Sequence, residues 1–97
     1  MAHKYNMTIR FAKRNDMRYI SHLDLLRLFG RASRRAQLPV ELSNGFTPRP
    51  RISIEPALKL GVESENLFAK FKLMQAVDEE VFKNRLQEQL PKGVEIL

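Results

Sequence analysis

The sequence contains no cysteine and no tryptophan, and it has only two histidines. The absence of cysteine excludes disulfide bonds, thiolate zinc sites, iron–sulfur clusters and a cysteine nucleophile. No apolar run approaches the roughly 18 residues that a membrane span needs, and no D-x-D-x-D calcium pattern is present. The common phosphate-loop, dinucleotide, zincin and serine-hydrolase motifs are also absent. We therefore expect no metal, no cofactor and no intrinsic catalytic centre.

Positive charge dominates the residues that are present. Seventeen lysines and arginines against eleven acidic residues give a net charge of +6 in a chain of 97 residues. Nucleic acid, an anionic membrane surface and an acidic protein all suit such a chain as partners. The length and the 43% hydrophobic content predict one globular domain over residues 1–97. The N-terminus lacks the apolar core of a signal peptide, so the cytoplasm is the expected location.

The first half of the chain predicts a strand followed by a helix. Apolar and polar residues alternate over residues 4–13, which is typical of a half-buried strand. Ser21 is placed to begin a helix, because its hydroxyl can accept from the N–H of Asp24, which stands at the capping-box position. The helix is expected to run to about Gln37, since Pro39 cannot continue it.

The second half predicts two further strands, a second helix and a final strand. A turn-rich connection at 40–50 leads to a strand at 51–55 and a second strand at 67–74. A helix then follows, capped by Asp78 and stopped by Pro91, and the last strand covers 94–97. Pro56 marks the 51–55 strand as an edge or a bulge. The order β-α-β-β-α-β predicts an α+β, ferredoxin-like fold, with two helices on one face of a four-stranded antiparallel sheet.

One face of the first helix is strongly basic. At 100° per residue, an apolar stripe around Leu25 and Phe29 lies opposite a set of four arginines. The basic residues are Arg27, Arg31, Arg34 and Arg35. Guanidinium groups gathered in this way suit the binding of phosphates. The alternative interpretation is a solvated helix face with no ligand.

The loop after this helix is the second candidate site. Arg49 and Arg51 alternate with Pro48 and Pro50, and the prolines restrict the conformations that binding would otherwise have to order. Phe46 follows a glycine in this polar loop. It is predicted either to stack on a base or to plug the core. For the two arginines, phosphate binding is the favoured interpretation and a purely structural connection is the alternative.

His22 and Asp24 are weak catalytic candidates at the start of the first helix. A histidine general base needs a partner and a substrate within reach. A spacing of two residues turns the Asp24 side chain to a different side of the helix from His22. A structural histidine is therefore the favoured interpretation, and catalysis on RNA is the alternative.

The sheet face away from the helices is predicted to be basic as well. Its residues are expected to be Thr8, Arg10, Phe68, Lys70 and Lys72. A basic sheet surface with an aromatic residue suits single-stranded RNA. However, the RNP pattern of RNA-recognition motifs is absent, and edge lysines also serve to prevent strand-to-strand aggregation.

The sequence RYISHLDLLRLFGRASRRAQLPV at 18–40, followed by LSNGFTPRPRISIEPALKLGVESE at 42–65, resembles the radical-SAM-linked protein family. The shared features are an S-H-L-D-L helix start, a basic helix, a G-F-x-P-x-P-R-I-S loop and a G-V-E-S turn. The matching positions are Ser21, His22, Asp24, Gly45, Phe46, Pro48, Pro50, Arg51, Ser53, Gly61, Glu63 and Ser64. Two positions depart from the pattern, since the family often has histidine where this chain has Arg49 and glutamine where it has Asn44.

The resemblance implies a bacterial protein of unknown activity that occurs alone or fused behind a radical-SAM region. Members of that family are usually longer, so we expect this chain to be the N-terminal part of a longer family domain. The resemblance also implies a radical-SAM protein as partner, whose chemistry needs a three-cysteine cluster site that this chain lacks.

Together, the charge and the resemblance predict an accessory domain that binds RNA, such as tRNA or rRNA, or presents it to a radical-SAM enzyme. The alternative is a protein–protein docking module for the radical-SAM partner, without RNA contact, in which Phe46 and the proline loop form the contact. The oligomeric state is left open.

Overall fold

A computed structural model describes residues 5–97 of the chain. The elements are β1 (Tyr5–Lys13), a 3-10 helix (Asn15–Tyr19), α1 (His22–Arg35), β2 (Ile52–Glu55), β3 (Ser64–Leu73), α2 (Glu79–Glu88) and β4 (Val94–Ile96). The four strands form one antiparallel sheet in the order β2-β3-β1-β4. This confirms the predicted α+β, ferredoxin-like arrangement. Lys4, at the start of the predicted first strand, lies outside the described residues.

The two long strands β1 and β3 form the centre of the sheet. They pair from Tyr5 opposite Leu73 to Phe11 opposite Leu67. Alternate residues are buried against the helices, and those between them are exposed, as the period-two pattern predicted. The register shifts between Phe11 and Lys13. Ala12, which the alternation assigned to the open face, is fully buried at this irregularity.

Four buried phenylalanine rings hold both helices against the same face of the sheet. The rings of Phe11 and Phe29 are 4.8 Å apart, those of Phe29 and Phe71 are 6.1 Å apart, and those of Phe71 and Phe82 are 4.9 Å apart. Each ring comes from a different element, namely β1, α1, β3 and α2 in that order. Tilted and edge-on ring pairs of this kind add to the stabilisation that burial alone provides.

Helix α1 begins where the sequence predicted, but it ends at Arg35, two residues before the predicted end at Gln37. Ser21 Oγ accepts a hydrogen bond from the Asp24 N–H at 3.1 Å, as the capping pattern indicated. At the other end, the Leu38 N–H donates to Ser33 O and the Gln37 N–H donates to Arg34 O, each at 3.0 Å. These two bonds form a Schellman motif, which places Gln37 in the left-handed region at φ 57°.

The predicted loop after β1 contains a 3-10 helix instead. Strand β3 also begins three residues earlier than the sequence pattern indicated, at Ser64. Both differences occur in mostly polar stretches, whose backbone conformation depends on hydrogen bonds to other parts of the chain. Asn15, for example, donates its backbone N–H to the Glu63 carboxylate at 2.8 Å.

The outer edge of β4 is closed by a glutamine side chain from α2. Gln87 Nε2 donates to Val94 O at 3.1 Å, and the Ile96 N–H donates to Gln87 Oε1 at 2.6 Å. The side-chain amide thus satisfies the backbone groups that a further strand would pair with. Neither of the α-helices described in residues 5–97 has the length and apolar character required to cross a membrane.

We predict that Gln37→Gly stabilises the protein. A non-glycine residue in the left-handed region is strained by roughly 1–2 kcal/mol, and glycine relieves that strain. The expected increase in the free energy of unfolding is about 1 kcal/mol, measured by chemical denaturation. Gln89→Gly is the matched control, because Gln89 has φ −102° and gains no relief. A loss of stability in Gln37→Gly would contradict the assigned Schellman motif.

Candidate nucleic-acid interface

A groove of about 410 Å³ lies between the exposed face of α1 and the segment leading into β2. We call it the helix groove. It is lined by Leu23, Leu26, Arg27, Gly30, Arg31, Arg34, Arg49, Pro50 and Ile52. Four of the six arginines that the sequence singled out therefore meet in one depression. They come from two segments, α1 and the connection that follows it.

The helical repeat aligns three of these arginines. Arg27, Arg31 and Arg34 are spaced at i, i+4 and i+7, so they follow one stripe of α1. The buried stripe of the same helix contains Leu25 and Phe29, which face the sheet. Packing of the apolar stripe therefore fixes the direction in which the arginines project.

The fourth arginine, Arg49, is held by a closed loop. The Ser43 N–H donates to Arg49 O at 2.8 Å, and the Arg49 N–H donates to Ser43 Oγ at 3.1 Å. Leu42 and Pro50 form a bridge directly below this pair. The base of the loop is thus fixed by hydrogen bonds, and the residues between Ser43 and Arg49 extend from it.

Gly30 allows this loop to approach the helix. A Cβ atom on Gly30 would lie 3.4 Å from Pro50 Cγ, which is at the edge of ordinary van der Waals contact. A larger side chain at this position would separate the two walls of the helix groove. Sequence reasoning missed this residue, although a glycine inside a helix, which lowers helix stability by about 1 kcal/mol, is itself a signal of close packing.

The charges of the helix groove are largely uncompensated. Arg27 Nη1 lies 3.4 Å from Asp24 Oδ1, in an ion pair whose side chains are both more than half exposed. Among residues 5–97, Arg31, Arg34 and Arg49 form no ion pair, and no acidic residue lines the groove. An exposed ion pair of the Arg27 kind contributes little and leaves the guanidinium accessible.

The two remaining predicted arginines lie outside the helix groove. Arg35 is exposed on α1 but does not line the groove, because it is one residue, or about 100°, beyond Arg34. Arg51 Nε lies 3.5 Å from Glu41 Oε2. Arg51 also lines a second depression on the open face of the sheet.

This second depression has a volume of about 500 Å³, and we call it the sheet groove. It is lined by Asn6, Thr8, Arg51, Ile52, Ser53, Lys70, Phe71 and Lys72. The exposed positions expected for Thr8, Arg10, Phe68, Lys70 and Lys72 are confirmed. The sequence did not indicate that Arg51 would join this face, because the contact depends on how the loop returns to β2.

Phe46 is fully exposed at the far end of the 43–49 loop, with a relative exposure of 108%. The interpretation that it plugs the core is therefore wrong. The core is already filled by rings from the four main elements, and the loop holds Phe46 away from it. Stacking of this ring on a base stays a prediction.

His22 and Asp24 lie two residues apart in the first turn of α1, and the structure describes both. No hydrogen bond joins them, and the Asp24 carboxylate contacts Arg27 instead. The described residues also contain no group of three or more His, Cys, Asp or Glu side chains that could hold a metal ion.

Charge is more nearly balanced around Arg14. Arg14 lies 2.8 Å from Glu65 and 3.4 Å from Glu95 beside another depression, which Glu63 and Glu65 also line. Lys13 is buried next to it, and burial lowers the pKa of its ammonium group. The two acid-free grooves are therefore distinct from this mixed surface.

Residues 6–97 match the family described as an uncharacterised protein conserved in bacteria, DUF2344. The chain belongs to the DUF2344 family. No curated protein and no solved structure matches it. The DUF2344 match includes α1, the proline loop and all lining residues of both grooves, so both grooves belong to the family domain.

For this DUF2344 domain we predict opposite effects of two substitutions at Gly30. Gly30→Ala should raise the free energy of unfolding by about 0.5–1 kcal/mol, because alanine favours the helix and its methyl group fits against Pro50. Gly30→Leu should lower it by about 1–3 kcal/mol, because the longer side chain displaces Pro50. Chemical denaturation measures both values. Equal stability of the two variants would contradict the close contact between α1 and the loop.

Proposed function

We propose that the chain is an accessory RNA-binding domain, in which the helix groove binds the phosphate backbone. The observation that supports this proposal is the meeting of Arg27, Arg31, Arg34 and Arg49 in a groove with no acidic lining residue. Guanidinium groups form paired, charge-assisted hydrogen bonds with phosphate oxygens. Their convergence also creates a local positive potential that attracts a polyanion.

The floor of the groove suits a nucleic acid better than a free phosphate ion. Leu23, Leu26 and Ile52 provide apolar surface between the arginines. Sugars and bases can pack on such surface while the phosphates contact the rim. The exposed ring of Phe46 offers a stacking platform on the loop that also carries Arg49.

The RNA is proposed to be a tRNA or rRNA that the domain presents to a radical-SAM protein. This part of the proposal derives from the resemblance of the helix start and the proline loop to radical-SAM-linked proteins. The chain has no cysteine with which to hold an iron–sulfur cluster, so radical chemistry would belong to the partner. Binding and orientation of the substrate would belong to this domain.

We predict that Arg31→Ala and Arg34→Ala each weaken binding of bulk tRNA and reduce its salt dependence. Each lost phosphate contact should lower the slope of log K against log salt by about 0.7–0.9, because fewer counterions are released on binding. Fluorescence anisotropy over a series of salt concentrations measures this slope. Arg85→Ala is the control, because Arg85 is an exposed arginine on the other helix, α2.

An unchanged slope in both α1 variants would remove the helix groove from the site. Binding of tRNA that does not depend on salt in the wild-type protein would contradict phosphate recognition altogether.

The complete exposure of Phe46 favours one second candidate, docking on the radical-SAM protein without RNA contact. Large exposed aromatic residues are common anchors of protein interfaces. The proline loop would then present this ring to the partner, and the basic groove would be a solvated surface.

Phe46→Ala and Phe46→Tyr separate the two candidates. If Phe46 stacks on a base, Phe46→Ala should weaken tRNA binding about tenfold, and Phe46→Tyr should retain it, because the ring supplies roughly 1–3 kcal/mol per base. If Phe46 is only a docking residue, neither substitution should change the tRNA titration curve of the wild-type protein. Anisotropy titration at one fixed salt concentration measures the difference.

A further inference from the structure

The sheet groove lies on the opposite side of the sheet from α1 and is the second acid-free basic surface. Arg51, Lys70 and Lys72 provide its positive charge. Thr8, Ser53 and Asn6 add hydroxyl and amide groups, which are further hydrogen-bonding partners for a phosphate or a sugar. Its composition therefore matches a sugar–phosphate backbone, as that of the helix groove does.

The acidic partners of this surface lie outside its lining. Lys70 Nζ is 3.6 Å from Glu55 Oε2, and Arg51 Nε is 3.5 Å from Glu41 Oε2. Both contacts join partly exposed side chains, and exposed ion pairs of this kind contribute little to stability. Lys72 forms no ion pair with any residue in the described part of the chain.

The two grooves meet at the β2 edge of the sheet. Arg49, Pro50 and Ile52 line the helix groove, while Arg51 and Ile52 line the sheet groove. One segment of four residues, 49–52, therefore forms the boundary of both. Because β2 is the edge strand of the sheet that residues 5–97 form, no further strand among these residues separates the two surfaces there.

We infer that a single strand of RNA runs along the helix groove, passes around the β2 edge and continues into the sheet groove. This inference rests on the proposed function and specifies its substrate class. Phosphates contact Arg27, Arg31 and Arg34 on one side of the sheet and Lys72 on the other. Arg49 and Arg51 lie at the crossing point.

A double helix does not fit this path. The path crosses from one face of the sheet to the other around the single strand β2, so the backbone must turn within a short distance. Double-helical nucleic acid is stiff over lengths of about 150 base pairs, as measured for DNA. An unpaired strand bends freely and exposes its bases to aromatic side chains. Phe68, which is 40% exposed on the same sheet face, offers such a ring beyond Lys70.

The opposite edge of the sheet does not offer a similar path. At β4, the backbone groups are occupied by Gln87, and Glu95 of that strand lies 3.4 Å from Arg14. The depression beside Arg14 is lined by two glutamates, which repel phosphates. Among the described residues, the basic surface that continues from one face of the sheet to the other therefore lies on the β2 side.

The test compares a labelled single-stranded RNA of about 12 nucleotides, within the range of known single-strand sites, with a duplex of the same length. The wild-type protein should bind the single strand at least about tenfold more tightly. Lys72→Glu should weaken single-strand binding about tenfold and change duplex binding by less than about twofold. Lys92→Glu is the matched control, because it makes the same change in net charge beside β4.

Equal affinity for the duplex and the single strand would overturn the inference while leaving the proposed function intact. The same follows if Lys72→Glu resembles Lys92→Glu while Arg31→Ala still weakens binding. Failure of the wild-type protein to bind either RNA would overturn the proposed function as well. Thermal melts of each variant confirm that the fold is retained, since both lysines are exposed.

Discussion

The packing of Phe29 between Phe11 and Phe71 determines the orientation of helix α1, and the basic surface depends on that orientation. Phe29 is fully buried and contacts rings from the two central strands. A helix held by its apolar stripe has no freedom to rotate about its axis without exposing that stripe to water. Arg27, Arg31 and Arg34 therefore project on the side away from the sheet, where they meet the loop.

A second constraint brings the loop to this helix. The bridge between Leu42 and Pro50 closes the base of the loop, and Gly30 leaves room for the proline ring. The contact between Gly30 and Pro50 is apolar, so packing and the single exposed Arg27–Asp24 ion pair oppose the repulsion among the four guanidinium groups. This arrangement keeps positive charge accessible, because few ion pairs form within the site.

Local signals in the sequence predicted most of the secondary structure. Ser21 and Asp78 identified the starts of both helices because capping depends only on residues three positions apart. The alternation in β1 and β3 identified their buried faces for the same local reason. The 3-10 helix, the early start of β3 and the left-handed Gln37 were not predicted, because they depend on hydrogen bonds and turns that several conformations of the same residues allow.

The sequence by itself determined the order of the elements, the apolar stripe of α1 and the presence of a basic stripe opposite it. Those features follow from periodicity and charge, which are properties of neighbouring residues. Only the tertiary structure decided that Arg49 joins the helix arginines, that Arg51 faces the other side of the sheet and that Phe46 is exposed. Each of these outcomes depends on where the 43–49 loop returns to the sheet, and that position is fixed by contacts between segments distant in the chain.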